Sequence, residues 1–355
     1  MKDKIGFGLL GTGLIAPFHA KSILNAANCE LIAAADIDAE RTAAFSKEYH
    51  CKAYSQLDEL LNDSEIDVIN ILTPNHLHKE AVLRAAAAKK HVLVEKPPAM
   101  SLKDVDDMMA ACSKHDVRFG IVLQCRVRPA IQAVKKAVDE GRFGKLLHAD
   151  AYMKWHRTTE YYQSAAWRSS RKSGAGVTIQ HAFHYMDLLY YLAGDVQAVH
   201  ARMRNLAHPD VELEDTLLAF LDFKNGAQGV VQATTALWPG TDIRIEINGT
   251  DGTAIVMGER IDTWQFKESA PEDESIQTIG SAEVSTGAGG PADLSFADHQ
   301  ILIEDMADAI VNDHEPVIPA ADTRATLEMA LAMYQSAKTD VRVELPLKNE
   351  SGIWD

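Results

Sequence analysis

Gly11-Thr12-Gly13-Leu14-Ile15-Ala16 fits the spacing GxGxxA, and it falls between an apolar run and a helical pattern. Gly11 permits a tight turn, Gly13 lets a pyrophosphate approach the backbone, and Ala16 lets helix and strand pack closely. The phosphates of a dinucleotide then meet N–H groups at the helix start, those of Leu14 and Ile15 among them. Pro17 suits a first helical turn, where its missing N–H costs nothing. Asp36 closes the next apolar run, the place where an acid binds the adenosine ribose hydroxyls. The plainer reading is a helix-capping aspartate before Ile37-Asp38-Ala39-Glu40. A carboxylate there repels a 2′-phosphate, so NAD is expected over NADP. Arg41 lies near enough to bear on that choice, against the simpler reading of a solvated helix charge.

These groups need a scaffold that brings several loops to one edge. In the first third of the chain, apolar runs at 5–10, 31–35, 68–72, 91–95 and 117–124 alternate with helical stretches such as 80–88 and 102–113. Ser101 and Asp104, three residues apart, resemble a capping box. Strand and helix alternating at this spacing imply a parallel sheet covered on both faces. After about residue 125 the texture changes. Residues 195–255 hold alternating β-rich runs separated by turn residues. Asn225-Gly226, between runs at 217–223 and 229–233, signals a hairpin. The expected fold is an α/β Rossmann domain with a parallel sheet over residues 1–124. An α+β domain with a large, mostly antiparallel open sheet follows over residues 125–355. Residues 268–293, rich in Ser, Gly, Glu, Ala and Pro, read as a long, mobile surface loop. Two helices, near 298–311 and 322–337, close the chain and are candidates to pack back on the first domain.

Composition excludes several function classes. The 355 residues carry a formal charge of −16, with 46% hydrophobic and 24% charged residues. So acidic a chain repels phosphate backbones, which argues against nucleic acid as a partner. Cys29, Cys51, Cys112 and Cys125 lack CxxC spacing and read as thiols in a reducing compartment. With no signal-peptide pattern and no long apolar span, a cytoplasmic protein away from membranes is expected.

Three further segments carry chemistry. Thr73-Pro74-Asn75-His76-Leu77-His78 follows the run at 68–72, and Glu95-Lys96-Pro97-Pro98 follows the next. Gly174-Ala175-Gly176-Val177 leads into a helical stretch with Gln180, His181, His184 and Asp187. Lys96 is either a surface lysine before a Pro-Pro turn or a ligand-binding group. Its place at the C-terminal end of a strand favours the second. His184 is read as a core histidine or an active-site group. His181 and His184 lack a clear third ligand, so no metal is expected. The stretch Tyr152, Trp155, His156, Arg157, Tyr161, Tyr162, Trp167, Arg168 is dense in aromatic and basic groups. Such faces with polar tips suit a hydroxylated ring, or else form a core or interface cluster.

Taken with the N-terminal glycines, these segments resemble the Gfo/Idh/MocA family of sugar and cyclitol oxidoreductases. The resemblance covers nearly the whole chain, including Tyr162, Trp167-Arg168 and the late helix at 299–309. It implies that Lys96, the lysine of the family's EKP, binds the reacting hydroxyl near the nicotinamide. It implies that His184, the histidine of GGGxxxDxGxHxxD, acts as acid/base. The family's Asp four residues earlier is Gln180 here. That departure is compatible with activity, because Asn stands there in some sugar-nucleotide members. By the same resemblance, Glu95 lines the nicotinamide side, and Thr73, Pro74, Asn75 and His78 form the loop over the cofactor. Gln124 contacts the cofactor and Arg126 the substrate at the domain junction. Trp167 and Arg168 adjoin the cofactor, and Arg157, Tyr162 and His181 face the substrate.

The residue types make sense of this chemistry. Oxidising a secondary alcohol needs a proton acceptor for the hydroxyl as hydride leaves the carbon, and histidine titrates near neutral pH. A lysine ammonium stabilises developing alkoxide charge. Gln180 exchanges no proton but can hydrogen-bond a substrate hydroxyl. Helical spacing predicts Gln180 and His184 on one face, with Asp187 placed to orient the His184 ring. The expected function is NAD(P)-dependent hydride transfer between a ring hydroxyl carbon of a sugar, sugar derivative or inositol and the nicotinamide, with Lys96 and His184 at the reacting hydroxyl. The alternatives are a nucleotide-sugar dehydrogenase, a redox-assisted epimerase, lyase or glycosidase that retains NAD, and a non-catalytic NAD or sugar sensor. The resemblance also implies a homodimer or homotetramer, joined through one face of the second sheet.

Overall fold

The structure is a computed structural model and describes residues 4–174, 176–280 and 295–354. It divides into two compact units, Met1–Gln124 with Ser295–Arg324, and Cys125–Leu294 with Ala325–Asp355.

The first unit holds a six-stranded sheet made of β1 (Ile5–Leu10), β2 (Cys29–Ala35), β3 (Lys52–Tyr54), β4 (Val68–Ile71), β5 (His91–Glu95) and β6 (Phe119–Val122). The order is β3-β2-β1-β4-β5-β6, and every pairing is parallel. Strands such as Val-Ile-Asn-Ile in β4 and Phe-Gly-Ile-Val in β6 are buried at every residue. That burial is why they read as continuous apolar runs rather than alternating ones. β3, a three-residue Lys-Ala-Tyr, is absent from those runs because it sits at the sheet edge and buries almost nothing.

Helix ends follow local capping chemistry. Asp38, not Asp36, caps the helix Ala39–Tyr49 by accepting from the Arg41 amide at 3.0 Å. Ser101 caps Leu102–His115 through the Asp104 amide. The first of the two closing helices, Ala297–Val311, belongs to this unit and packs on Ala16–Asn25. There the Ser22 hydroxyl donates to the Phe296 carbonyl at 2.9 Å. The strand order reverses between β1 and β4, which opens a crevice beyond their C-terminal ends. Gly11, Asp36, Thr73, Lys96 and Gln124 all lie just past the C-terminal ends of strands.

The second unit holds β7 (Leu146–Lys154), β8 (Val196–Arg204), β9 (Thr216–Phe223), β10 (Gln228–Thr234), β11 (Arg244–Gly249), β12 (Gly252–Met257), β13 (Arg260–Phe266) and β14 (Val343–Glu344). The order is β13-β12-β11-β7-β10-β9-β8-β14, antiparallel throughout except between β7 and β10. The expected hairpin is β9–β10, and Gly226 supplies its positive φ of 87°. β9 buries Leu217, Ala219, Leu221 and Phe223 and leaves Leu218 and Phe220 exposed. The helix Phe183–Ala193 covers the buried face along β7. Each fully buried Leu or Phe there contributes about 1.5–3 kcal/mol.

The stretch expected to be a mobile loop from 268 is anchored at its start. Residues Asp273–Ile276 form a helical turn. The Asp273 carboxylate accepts from the Trp264 indole at 2.7 Å, the Arg142 guanidinium at 2.7 and 2.9 Å, and the Ala270 amide at 2.7 Å. The Arg142 hydrogen bond holds that carboxyl well below its usual range. Composition suggested a loop, but one aspartate with distant partners pins it. Residues 281–293 of that expectation lie outside the described residues. Among the described residues, no helix is long and apolar enough to cross a membrane.

Candidate functional site

In the first unit the glycine loop is built around Asp36. Its Oδ2 accepts from the Thr12 amide at 2.8 Å and the Thr12 hydroxyl at 3.2 Å. Its Oδ1 accepts from the Asp38 amide and from Arg41 at 2.8 Å. Burial pushes this carboxyl up, but the Thr12 and Asp38 amides and Arg41 together hold it below its usual range. Asp36 is therefore a fixed anion beside the loop. Arg41 is held by Asp36, Asp38 and the Thr12 hydroxyl, so it is a structured partner of Asp36 rather than a loose helix charge.

Gly11 adopts φ +106°, and a Cβ there would meet the Leu72 carbonyl oxygen at 3.0 Å, so the turn demands glycine. Gly13 faces open space, with nothing within 4 Å of an added Cβ. The helix Ala16–Asn25 has no side-chain cap. The amides of Gly13, Leu14 and Ile15 have no acceptor among the described residues. Two more polar atoms at this edge are buried without partners, Thr73 Oγ1 and Gln124 Oε1. Three amides, a hydroxyl and an amide oxygen are the polar set a dinucleotide needs, so the residues fit NAD.

The loops after β4 and β5 are joined from below by His78. Its Nε2 lies 2.7 Å from the Thr73 carbonyl and its Nδ1 3.0 Å from the Pro97 carbonyl. Burial pushes its pKa down. Fully buried as it is, His78 fixes the backbone of both loops. Asn75 is buried within the same loop, and Pro74 precedes it in extended conformation.

Glu95 sits in a cluster that sequence reasoning missed. Its Oε1 accepts from His19 Nε2 at 2.8 Å and lies 4.0 Å from His299 Nε2, and its Oε2 accepts from the Lys96 amide at 3.2 Å. The Asn70 amide donates to His19 Nδ1 at 2.8 Å, which leaves the His19 proton on Nε2, toward Glu95. Burial raises the Glu95 pKa, but its contacts with His19 and the charges of His299 and Lys96 lower it by more, so the net direction is down. Among the described residues, His19, Glu95 and His299 are the group whose donor atoms approach one another, within 4.8 Å. The His19–Glu95 hydrogen bond fills the gap between two of them. The signal was a histidine on the buried face of the first helix, a pattern that core histidines share.

In the second unit, four expectations change. The helix is broken. Val177–Gln180 and Phe183–Ala193 are separate, and the Ala182 amide reaches back to the Val177 carbonyl at 2.8 Å. Gln180 and His184 therefore lie on different helices, and a four-residue spacing does not put them on one face. Asp187 does not orient His184. Both its oxygens accept from Arg126 at 2.7 Å, and Oδ1 also accepts from the Thr326 hydroxyl at 2.9 Å. Arg126, expected at the substrate, is consequently a buried structural cation stacked over Tyr191. Tyr162 is core as well. Its hydroxyl pairs with Thr235 at 2.7 Å, its ring packs on His208, and burial pushes its pKa up.

The rest of this aromatic and basic segment, buried or half-buried, is organised by Tyr161 instead. Arg168 donates to the Tyr161 hydroxyl at 2.8 Å, and that hydroxyl lies 3.3 Å from His181 Nε2. Arg168 also stacks over Trp167 and Tyr161, each at 4.6 Å, and Arg157 stacks over Trp155 at 4.8 Å. The Arg168 Nε–H is buried without an acceptor among the described residues. Gln180 donates to the Gly174 carbonyl at 3.1 Å, and Lys96 and His184 are each half-buried.

Comparison with known proteins places these features in a lineage. Residues 5–122 match the model for an oxidoreductase family with an NAD-binding Rossmann fold. Residues 131–255 match that of the GFO/IDH/MocA C-terminal domain. The chain is 26% identical to scyllo-inositol 2-dehydrogenase (NAD(+)) of Bacillus subtilis (strain 168), over 98% of each chain. It is 30% identical to 2,7-anhydro-N-acetylneuraminate hydratase of Escherichia coli (strain K12), over 70% of this chain and 66% of that one. Among solved structures it resembles the WlbA dehydrogenase from Bordetella pertussis in complex with NADH and UDP-GlcNAcA. There the TM-score is 0.90 at 32% identity, over 98% of this chain and 99% of that one.

Proposed function

The chain belongs to the Gfo/Idh/MocA oxidoreductase family and is an NAD-dependent oxidoreductase, and on that premise we propose that it oxidises a ring CH–OH of a sugar, sugar derivative or inositol. The observation that carries the reading is the set of unsatisfied groups at the C-terminal edge of the parallel sheet. The Gly13, Leu14 and Ile15 amides, Thr73 Oγ1 and Gln124 Oε1 await a ligand beside the Asp36 anion. These groups would hold NAD, which when bound would supply the acceptor for hydride from the carbinol carbon. Lys96 holds the reacting oxygen and stabilises the alkoxide as charge develops. His184 takes the hydroxyl proton. Gln180 binds a neighbouring hydroxyl, and Trp167 and Arg168 border the cofactor, where the Arg168 Nε–H meets an acceptor.

A second reading is a nucleotide-linked sugar as substrate. The likeness to the WlbA structure, solved with UDP-GlcNAcA, favours it, as does an amide at Gln180 in place of the family's Asp. The exposed Leu218 and Phe220 on β9 support association of copies through that sheet face as a homodimer or homotetramer. A monomer in sedimentation would reject this.

The test is NADH formation across sugars, inositols, sugar acids and nucleotide sugars, beside Lys96→Ala and His184→Ala. Turnover lost roughly 100- to 10,000-fold in the His184 variant supports the assignment. NAD binding with no net NADH on any substrate points to a hidden redox cycle or a sensor.

A further inference from the structure

We infer that Glu214 is a positioning residue that sets the segment carrying Gln180. Glu214 lies in the connection between β8 and β9, far in sequence from the glycine-rich segment, and is buried. Its Oε1 accepts from the Thr178 amide at 2.9 Å and from the Tyr334 hydroxyl at 2.8 Å. Its backbone carbonyl accepts from the Val177 amide at 2.9 Å. One residue thus takes two successive amides at the start of the turn Val177–Gln180. A third contact is steric. A Cβ on Gly176 would fall 2.2 and 2.3 Å from the two carboxylate oxygens, so glycine is required for the carboxyl to sit against the backbone. Gln180 in turn hangs on this frame, because its amide donates to the Gly176 carbonyl at 2.9 Å and its side chain to the Gly174 carbonyl at 3.1 Å.

The arrangement is more than a capped turn. A four-residue helix has little stability of its own, since forming one turn fixes several dihedrals for one hydrogen bond. Placement of Gln180 is therefore delegated to Glu214, which Tyr334 on the helix Ala320–Thr339 holds in turn. Buried against Gly176, Val177, Thr178 and Tyr334, Glu214 acts through the segment. The inference rests on the proposal that Gln180 meets the substrate, and its test separates the two.

The experiment compares Glu214→Ala, Glu214→Gln and Gly176→Ala in the full chain, by amide hydrogen exchange of residues 176–182 and by KM and kcat for the substrate the wild type turns over. Glutamine keeps an acceptor for Thr178 and Tyr334 and the same shape, so it should rescue. Expected are faster exchange and a KM raised at least about tenfold in Glu214→Ala, with kcat changed far less, and Glu214→Gln within about threefold of wild type. Gly176→Ala, which forces the carboxyl and backbone apart, should raise KM in the same way and carries the test if Glu214→Ala does not fold. Unchanged exchange in Glu214→Ala, faster exchange with unchanged KM, or a glutamine variant as impaired as alanine would each overturn the inference. If the wild type oxidises no sugar, the proposed function falls, and exchange with its glutamine rescue alone judges the anchor.

Discussion

Asp187→Asn should destabilise the second unit strongly. The carboxylate and the Arg126 guanidinium are 1% and 3% exposed, and both Asp187 oxygens are engaged. Asparagine keeps the shape but removes the negative charge that both bonds from the buried Arg126 guanidinium meet. Breaking one side of such a pair costs about 3–5 kcal/mol. In a unit of this size each kcal/mol lowers the melting point by about 2–4 °C, so the shift should be roughly 6–20 °C. Differential scanning calorimetry reads it directly. A double variant, Arg126→Met with Asp187→Leu, removes both charges and should recover most of the loss. An Asp187→Asn protein melting within about 2 °C of wild type would show that the pair is not the anchor it is taken to be. So would a variant with intact melting and abolished turnover, because that outcome belongs to an aspartate that orients His184.

Gly13→Val should leave melting nearly unchanged, since an added Cβ meets nothing, yet abolish NADH binding measured by fluorescence. Gly11→Ala should instead cost stability, about 1–3 kcal/mol, because alanine is strained at φ +106°. Equal melting of the two would contradict the division. Asp36→Ser should weaken NAD and improve NADP, each by roughly 10- to 100-fold, as the anion goes and Arg41 stays; titration with both cofactors decides it. Burial raises the Glu214 pKa above its unfolded value of about 4.3. The stability this group contributes is therefore full below that value and lost as pH rises through the folded pKa. Glu214→Gln stays neutral, so its melting point should gain on wild type as pH rises; a difference constant with pH would count against the buried acid.

The parallel sheet was legible because a strand covered on both faces must be apolar at nearly every position, and that constraint is written locally in β1, β4, β5 and β6. The glycine turn, the Ser101 cap and the Asn225-Gly226 hairpin were legible for a similar reason. Each is a backbone problem solved by residues within a few positions of one another. β3 escaped because three residues at an edge carry no periodicity.

The errors share a different cause. The spacing of Gln180, His184 and Asp187 describes an unbroken helix, but the turn Val177–Gln180 is held by Glu214, 36 residues from Thr178, and the helix breaks beyond it. Asp187 faces His184 by sequence arithmetic and Arg126 by packing, across 61 residues, with Thr326 a further partner across 139. Tyr162 and Tyr161 are adjacent and chemically identical, yet one is core and the other meets Arg168 and His181. Local patterning decides which backbone forms and which face is apolar. A buried charge or hydroxyl must instead find its partner wherever the folded chain brings one, because leaving it unpaired in a low-dielectric interior costs more than any local preference supplies. Those partnerships are set by tertiary packing, and they determine which polar residues remain available for chemistry.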